Sequence, residues 1–237
     1  MDLTIFFPCL NDGGTIASMV VLAAKTARPL VRQFEILVID DGSTDHALDV
    51  LQELRALVPE LRIVQHDRNR GYGAALRSGF QNARGDLVFY TDGDAQYDPR
   101  ELSLLMTALT PGIDMVNGWK TVRRDPLHRI VIGRIYHWAV KLAFGLRLRD
   151  TDCDCRLIRK AALERISLTS DTGVICVELV RKLQDSGARF REVPVTHLHR
   201  AYGKSQFFNY GRLFQVGIAL ARLWWKLIVK KEHRKPA

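Results

Sequence analysis

Short apolar runs alternate with helix-length segments over the first half of this chain of 237 residues. The runs at residues 3–8, 34–39, 61–65, 86–91 and 114–117 are predicted to be strands, because they are apolar and rich in β-prone residues. Helices are predicted in the segments between them. An alternation of this kind predicts a mainly parallel sheet with helices on both faces, and therefore an α/β fold.

Acidic residues and glycines follow three of the predicted strands. Two aspartates at residues 40–41 follow the second strand, a glycine loop at 69–73 follows the third, and the sequence Asp-Gly-Asp at 92–94 follows the fourth. The carboxyl ends of parallel strands meet at one edge of a sheet, where open α/β sheets bind their ligands. Carboxylates there can accept hydrogen bonds from a base or ribose, and amides of the glycine loop can reach a phosphate at a helix start.

The Asp-Gly-Asp sequence predicts a metal site. Side chains two residues apart on an extended backbone point the same way, so we expect Asp92 and Asp94 to converge. Convergent carboxylates repel each other unless a cation lies between them. Mg²⁺ and Mn²⁺ prefer such oxygen ligands and leave positions open for substrate phosphates. The alternative is an ordinary turn after a strand, because Asp and Gly are common turn residues.

The composition is that of a globular protein with a strong positive charge. The net charge of +9 favours anionic partners such as a phosphorylated substrate, a membrane surface or nucleic acid. The four cysteines form no paired CxxC motif, so reduced cytoplasmic thiols are expected rather than a zinc site. No apolar run reaches about 18 residues and residues 1–8 lack the pattern of a signal peptide, so we expect neither a spanning helix nor a signal peptide.

Three motifs of the first half resemble those of one known family. Asp-Asp-Gly-Ser-Thr-Asp at residues 40–45, Asn-Arg-Gly-Tyr-Gly at 69–73 and Asp-Gly-Asp-Ala-Gln at 92–96 occur in the order of the signature motifs of family 2 glycosyltransferases, which have the GT-A fold. The resemblance implies a Rossmann-like sheet, a nucleoside diphosphate sugar as donor, a divalent cation on the Asp-x-Asp motif and inversion at the anomeric carbon. GDP-mannose and UDP-glucose are both compatible donors.

The resemblance also implies roles for individual residues. Asp92 and Asp94 are expected to be catalytic and, together with Gln96, to hold the Mg²⁺ or Mn²⁺ ion and the diphosphate. The residues expected to bind the donor are Pro8, Asp12, Asp40, Asp41, Gly71 and Asp92.

The second half is similar to transferases that glycosylate a dolichyl or polyprenyl phosphate. Residues 150–157 resemble their Asp-Thr-x-Cys-Gly-Phe-Arg-Leu segment, with Asp154 and Cys155 in place of Gly and Phe, and residues 192–195 and 200–205 also resemble that subgroup. The resemblance implies that basic and polar side chains hold the lipid phosphate. The expected acceptor-binding residues are Arg123, Arg134, Asp150, Arg156, Arg200, Lys204 and Ser205.

We expect a GT-A domain at residues 1–210, with a donor half at 1–118 and an acceptor half at 119–210. The C-terminal residues 211–237 have the pattern of a basic amphipathic helix followed by a tail. We expect the helix to lie in the membrane interface, which would make the protein cytoplasmic and peripheral to the inner membrane face. The alternative is a terminal helix packed on the sheet. The apolar face of the predicted helix consists of Leu213, Val216, Leu220, Trp224, Leu227 and Ile228.

Two other functions remain possible at the level of sequence. In the second hypothesis the acceptor is a hydroxyl of a glycan or lipid, which requires a base to take its proton, and Asp152 and Asp154 are the candidate bases. A non-catalytic protein that binds nucleic acid is the third hypothesis, supported by the charge alone. No nucleic-acid-binding module is recognisable, so we expect no nucleic acid partner.

Overall fold

The computed structural model of the chain describes residues 1–121, 137–200, 202 and 210–234. Seven strands in these ranges form one sheet. The strands are β1 (Leu3–Cys9), β2 (Phe34–Asp40), β3 (Leu61–Gln65), β4 (Leu87–Thr91), β5 (Met115–Lys120), β6 (Cys155–Arg159) and β7 (Phe190–Val195). Their order across the sheet is β3-β2-β1-β4-β6-β5-β7.

The sheet is mainly parallel, as the sequence predicts. β1 pairs in parallel with β2 and β4, β2 with β3, and β5 with β7. β6 is antiparallel to both of its neighbours, β4 and β5. The first five strands lie where they are predicted, whereas the apolar pattern predicts neither β6 nor β7. β7 is an edge strand that alternates exposed and buried residues and contains Pro194, which only an edge accommodates easily.

Helices cover both faces of the sheet. The helices of the first half lie in the segments between the predicted strands, as expected. The helices are α1 (Ile16–Ala27), α2 (Ala47–Leu54), α3 (Tyr72–Asn82), α4 (Leu102–Ala108), α5 (137–144), α6 (Lys160–Leu163), α7 (Ile175–Asp185) and α8 (Tyr210–Trp224). α8 continues into a π-helical turn, Trp225–Val229.

Successive side chains of a strand point to opposite faces of the sheet, so the sheet separates two apolar cores. Leu3, Ile5 and Phe7 of β1 point into the core beneath α1, α2 and α4. Phe6 points into the second core, beneath α3, α7 and α8. The four cysteines are free thiols and are all buried. Because both faces are covered, the inner strands are continuous apolar runs, which is why the sequence predicts them well.

The direction of β6 decides which part of the second half reaches the carboxyl edge of the parallel strands. Because β6 runs antiparallel to β4, its first residue, Cys155, pairs with the last residue of β4, Thr91. The residues after Thr91 and before Cys155 therefore emerge side by side. This register brings Asp154 to the same edge as Asp92.

α8 packs on the sheet with the face that the sequence assigns to the membrane. Leu223 and Leu227 are buried in the core beneath α3 and α7, and Val216, Leu220 and Ile228 pack against them. The expectation that the whole face lies in a bilayer is corrected, because the domain covers Val216, Leu220, Leu227 and Ile228. Trp224 of the same face is 37% exposed. Within the described part of the chain, no helix combines the length and the apolar character that crossing a membrane requires.

Candidate active site

A cavity of about 440 Å³ opens at the carboxyl edge of the parallel strands. Pro8 of β1, Gly71 at the start of α3 and Gly93 after β4 contribute to its wall. An excess of carboxylates makes such a cavity attractive to cations. Among the described residues, the charged side chains that line it are Asp12, Asp41, Asp92, Asp94, Asp154, Asp171 and Arg200.

A turn, rather than an extended strand, brings Asp92 and Asp94 to the cavity. β4 ends at Thr91 and the chain turns directly after it. Ala95 has a φ of 59°, in the left-handed region that costs a residue with a Cβ atom about 1 kcal/mol or more. Oδ1 of Asp94 accepts a hydrogen bond of 3.0 Å from the amide of Gln96, which fixes the carboxylate within the turn.

The glycine between the two aspartates allows the turn to lie against β1. A Cβ atom at Gly93 would be 3.0 Å from the carbonyl oxygen of Pro8 and 3.2 Å from the side chain of Ile16. The carbonyl of Gly93 accepts a hydrogen bond of 2.8 Å from Oγ1 of Thr15, the residue before α1. The hydroxyl of Thr15 thus ties the first helix to the acidic turn.

The second oxygen of Asp94 binds Arg200, with 2.5 Å between Oδ2 and Nη2. The loop that carries Arg200 is tethered to the acidic turn, because the amide of Leu198 donates a hydrogen bond of 2.8 Å to the carbonyl of Gln96. Nε2 of Gln96 is 3.4 Å from the carbonyl of Leu198. The side chain of Gln96, a predicted metal ligand, thus faces this loop and does not line the cavity.

Asp92 is held by Tyr72, whose hydroxyl donates a hydrogen bond of 2.7 Å to Oδ1. Burial raises the pKa of Asp92 well above its usual range, and the carboxylates of Asp154 and Asp94 raise it further. Burial also raises the pKa of Asp94, while the guanidinium of Arg200 lowers it. Negative charge is therefore costly at this pair of carboxylates, and a bound cation would relieve that cost.

Asp12 lies in the loop after β1, and its Oδ2 would be 3.5 Å from a Cβ atom at Gly93, which places it next to the acidic turn. Its Oδ2 accepts a hydrogen bond of 3.2 Å from the amide of Leu10. Burial raises the pKa of Asp12 to about 6, and the charge of Asp94 acts in the same direction. Asp12 is thus a third carboxylate whose ionisation depends on the positive charge nearby.

Asp154 is a fourth carboxylate in the cavity, at the position where the similar transferases have glycine. Its Oδ1 accepts a hydrogen bond of 3.1 Å from Sγ of Cys176 and lies 3.4 Å from the hydroxyl of Tyr90. The guanidinium of Arg156 is 3.9 Å away. Asp152, the other candidate base, does not line the cavity. Of the two acids proposed for a hydroxyl acceptor, the structure brings only Asp154 to the site.

Arg156 lies beneath the cavity rather than in it. Its side chain is fully buried and donates hydrogen bonds of 2.7 Å to Oδ1 of Asn117, 2.7 Å to the hydroxyl of Tyr90 and 2.6 Å to the carbonyl of Thr151. These bonds join β4, β5 and β6. The prediction that Arg156 contacts the acceptor is corrected, because its guanidinium is used inside the protein.

Asp41 clamps the glycine loop. Its Oδ1 accepts a hydrogen bond of 2.9 Å from the amide of Arg70, and its Oδ2 accepts one of 2.9 Å from the amide of Gly71. Nδ1 of His66 lies 2.6 Å from Oδ1. The amide of Gly73 donates to the carbonyl of Asp171. The amides that the sequence assigns to a phosphate are therefore already bound within the protein, which corrects that interpretation.

Asp40, expected to bind the donor, is fully buried and does not line the cavity. Its Oδ1 accepts a hydrogen bond of 3.1 Å from the amide of Ser43, and its Oδ2 has no hydrogen-bond partner among the described residues. The structure therefore gives Asp40 a place in the interior, next to the turn that follows β2.

Outside the cavity, three side chains have the spacing of a metal site. Ligand atoms of His137, Asp150 and Asp152 lie within 4.8 Å of one another. Nζ of Lys120 is 3.7 Å from Oδ2 of Asp150 and donates a hydrogen bond of 2.6 Å to the carbonyl of Asp152. An ammonium thus already neutralises part of this group. Asp150, predicted to bind the acceptor, belongs to it and does not reach the cavity.

Four predicted acceptor-binding residues lie outside the described residues: Arg123, Arg134, Lys204 and Ser205. The structure adds residues that the sequence does not single out as ligands of the site. Tyr72 could have been chosen from its position in the glycine motif, whereas Asp171 and Cys176 come from segments without any motif and are brought in by tertiary packing alone.

Comparisons with known proteins agree with this fold. The model of the family described as Glycosyl transferase family 2 matches residues 4–167, which is more than half of the chain. The chain belongs to this family, as its three motifs predict.

Curated relatives are similar to this chain over most of its length. The undecaprenyl-phosphate 4-deoxy-4-formamido-L-arabinose transferase of Pseudomonas paraeruginosa is 30% identical over 208 residues, which cover 86% of this chain and 60% of the relative. The dodecaprenyl-phosphate galacturonate synthase of Rhizobium johnstonii is 28% identical over 222 residues, which cover 91% of this chain and 64% of the relative. The chain thus spans less than two thirds of the length of these relatives.

Solved structures confirm the GT-A fold. Glucosyl-3-phosphoglycerate synthase from Mycobacterium tuberculosis, in complex with phosphoglyceric acid, aligns over 100% of this chain and 81% of its own, with a TM-score of 0.67 and 19% identity. A structure of the same enzyme with Mn²⁺, uridine diphosphate and phosphoglyceric acid also has a TM-score of 0.67, over 100% of this chain and 80% of the other.

Proposed function

We propose that this protein is an inverting, metal-dependent glycosyltransferase that moves a hexose from a nucleoside diphosphate sugar to a polyprenyl phosphate at the cytoplasmic face of a membrane. The observation that carries the proposal is the acidic cavity with Arg200 at its rim, at the carboxyl edge of the sheet of a family 2 chain. The two relatives are named for undecaprenyl phosphate and dodecaprenyl phosphate, which supports an acceptor of that class.

The carboxylates of the cavity fit a hard divalent cation. Asp92 and Asp94 offer oxygen ligands, and the pKa of each is raised because negative charge is buried without enough compensation. These two residues would hold Mg²⁺ or Mn²⁺, the ions present with uridine diphosphate in solved structures of this fold. A bound ion of this kind supplies charge neutralisation for the departing diphosphate.

The transfer step assigns a role to individual residues of the cavity. An oxygen of the acceptor phosphate attacks the anomeric carbon while the bond from that carbon to the diphosphate oxygen breaks, which inverts the configuration. A phosphate monoester is largely ionised near neutral pH, so this attack needs no base. Arg200 provides a guanidinium that can hold an anion against the negative donor. Tyr72 fixes the carboxylate of Asp92 by its hydrogen bond.

A transfer assay tests the proposal. Labelled GDP-mannose, UDP-glucose and a nucleotide-activated galacturonate are each incubated with polyprenyl phosphate and Mg²⁺ or Mn²⁺, and label that enters the lipid phase is counted. We expect one donor to be used and Asp94→Asn to lower its transfer by about 10² to 10³-fold, because charge stabilisation is lost. Asp171→Asn is the matched control, since its carboxylate lines the same cavity but pairs with Arg77. Near-normal transfer by a folded Asp94→Asn variant contradicts the metal assignment.

Asp154 supports a second candidate, transfer to a hydroxyl of a glycan or lipid. Its carboxylate lines the cavity, whereas a phosphate acceptor requires no base there. Asp154→Asn separates the two candidates. Transfer to a hydroxyl should fall by about 10² to 10⁴-fold without its base, whereas transfer to a phosphate should change far less. The third hypothesis, a protein that only binds nucleic acid, has no support beyond the net charge.

A further inference from the structure

The packing of α8 leaves a different set of its apolar side chains exposed. Ile218, Trp225 and Val229 face solvent at spacings of seven and four residues, which is close to a whole number of helical turns. This stripe differs from the face that packs on the sheet, and the domain does not cover it. Trp225 is 52% exposed, an unusual state for the largest apolar side chain.

α5 adds two further exposed apolar residues to the same region. Trp138 and Leu142, one helical turn apart, are 57% and 75% exposed. Nε1 of Trp224 donates a hydrogen bond of 2.9 Å to the carbonyl of Ala143, so the end of α8 is fastened to the end of α5. We name the five exposed side chains the α5–α8 surface: Trp138, Leu142, Ile218, Trp225 and Val229.

Basic side chains accompany this surface. Nζ of Lys141 lies 5.5 Å from the centre of the Trp138 ring, and Arg222, Lys226 and Lys230 belong to α8 and its continuation. Residues 137–144 and 215–231 contain no acidic residue, and of these basic side chains Lys230 pairs with Glu232, with 3.5 Å between Nζ and Oε1. Tryptophan beside lysine and arginine is the composition of a surface that enters the headgroup region of an anionic bilayer. A second protein chain would not call for such an excess of one sign of charge.

The position of the surface relative to the cavity points to the same partner. Gln215 and Val216 of α8 line the cavity, and Trp225 follows Gln215 by ten residues, which is roughly 15 Å along a helix. One helix thus connects the cavity with the exposed tryptophan. A polyprenyl phosphate could keep its chain in the bilayer while its phosphate enters the cavity.

We propose that the α5–α8 surface docks the protein on an anionic lipid bilayer, with Trp138, Leu142 and Trp225 in the interface, next to the opening through which the lipid phosphate enters. The identity of that lipid rests on the proposed function, whereas the docking surface does not. The bilayer is bound by apolar insertion together with attraction of the basic residues to anionic headgroups.

Vesicle flotation tests the surface directly. The probes are vesicles of phosphatidylcholine alone and vesicles that also contain phosphatidylglycerol. We expect the full chain to float with the anionic vesicles, and the triple variant Trp138→Ala, Leu142→Ala and Trp225→Ala to bind them at least about tenfold more weakly. Leu57→Ala is the matched control, because Leu57 is 76% exposed and follows α2, which packs on the opposite face of the sheet.

Two vesicle-binding results overturn the docking surface: equal vesicle binding by the triple variant and the original chain, or no vesicle binding by the original chain. A change from dimer to monomer in the triple variant, with vesicle binding intact, would assign the surface to a second copy and also overturns it. Circular dichroism and thermal unfolding establish whether the variants are folded. We expect them to be folded, because the substituted side chains are exposed.

Transfer to a water-soluble short-chain prenyl phosphate separates this inference from the proposed function. The triple variant should glycosylate the short acceptor at the original rate, and a long-chain acceptor in vesicles at least about tenfold more slowly. Vesicle binding without transfer to either acceptor contradicts the proposed function and leaves the surface standing. Transfer to both acceptors at the original rate by the triple variant contradicts the surface and leaves the proposed function standing.

Discussion

The two halves of the chain contribute to the cavity in different ways. In residues 1–121, Pro8, Asp12, Asp41, Gly71 and the two aspartates of the acidic turn reach the cavity, whereas the predicted Asp40 and Gln96 do not. In the described part of the second half, Arg200 alone of the predicted acceptor residues does so, while Asp150 and Arg156 lie elsewhere. The sequence locates the ends of the parallel strands. It does not show which residues the antiparallel strand β6 brings to the carboxyl edge of the sheet.

The difference has a structural cause in β6. This strand enters the sheet between β4 and β5, so side chains from one short segment are divided between the cavity and the interior. Asp154, before the strand, faces the cavity, and Arg156, inside it, is covered on all sides. Charged side chains of the first half therefore line the open cavity, whereas the arginine of β6 in the second half is buried in the interior.

The largest expected effect sharpens this contrast at Arg156. Arg156→Ala should lower the free energy of unfolding by about 3 kcal/mol or more, because it removes a fully buried side chain and leaves Asn117 and the carbonyl of Thr151 without a donor. Arg156→Lys keeps the charge but not the planar fork, so its loss should be smaller. Chemical denaturation measures both changes.

Arg147→Ala, on an exposed side chain, is the control and should change the free energy of unfolding by less than about 0.5 kcal/mol. Full stability of Arg156→Ala, together with a selective loss of acceptor use, would return Arg156 to the acceptor site. In that case the predicted site residues of the second half would reach the site, as most of those of the first half do.

The next effect concerns Asp12 and the pH. Burial raises its pKa from 3.8 to about 6, so its contribution to stability is fully present below about pH 4 and is lost as the pH rises through about 6. Each pKa unit corresponds to about 1.4 kcal/mol, and part of the shift is already titrated at pH 4, so Asp12→Asn should gain about 2 kcal/mol relative to the original chain between pH 4 and pH 8. Denaturation in EDTA at several pH values measures this gain.

Asp49→Asn, on the exposed side of α2, should produce no comparable gain with pH. If Asp12→Asn behaves like Asp49→Asn, the carboxylate of Asp12 is not held at a cost, and the cavity carries less buried negative charge than the structure indicates.

A smaller effect is expected at the contact between the halves. A Cβ atom at Gly73 would lie 2.4 Å from the carbonyl oxygen of Ser170, and backbone atoms there cannot move away easily. Gly73→Ala should therefore lower the free energy of unfolding by about 1–3 kcal/mol. Gly173→Ala is the control, because nothing lies within 4 Å of a Cβ atom at Gly173. Equal thermal unfolding temperatures for the two variants would mean that the halves are not in tight contact here.

The sequence predicts the fold of the first half well because buried parallel strands and the helices between them leave a strong periodic signal. It also predicts that Asp92 and Asp94 share a site, although a turn around a left-handed Ala95, not a pleated strand, brings them together. It cannot predict that the amides of the glycine loop bind Asp41, since that pairing joins residues about 30 positions apart. Side-chain partners over such distances are decided by tertiary packing.

The C-terminal helix illustrates the same limit. The helical period correctly predicts an amphipathic α8, but it does not indicate what covers the apolar face. The structure packs Leu220 and Leu227 of that face on the domain, leaves Trp224 of the face partly exposed, and also exposes Trp225, which lies outside the predicted face.

The central claim is that the carboxylates of the acidic turn bind a nucleoside diphosphate through a divalent cation. Isothermal titration of UDP and GDP, with Mn²⁺ and then with EDTA, tests it most directly in the original chain and in Asp94→Asn. We predict that Mn²⁺ tightens binding of the preferred nucleotide at least about tenfold in the original chain and not in the variant. Equal affinity with and without Mn²⁺ in the original chain, or an undiminished gain in Asp94→Asn, would contradict the claim.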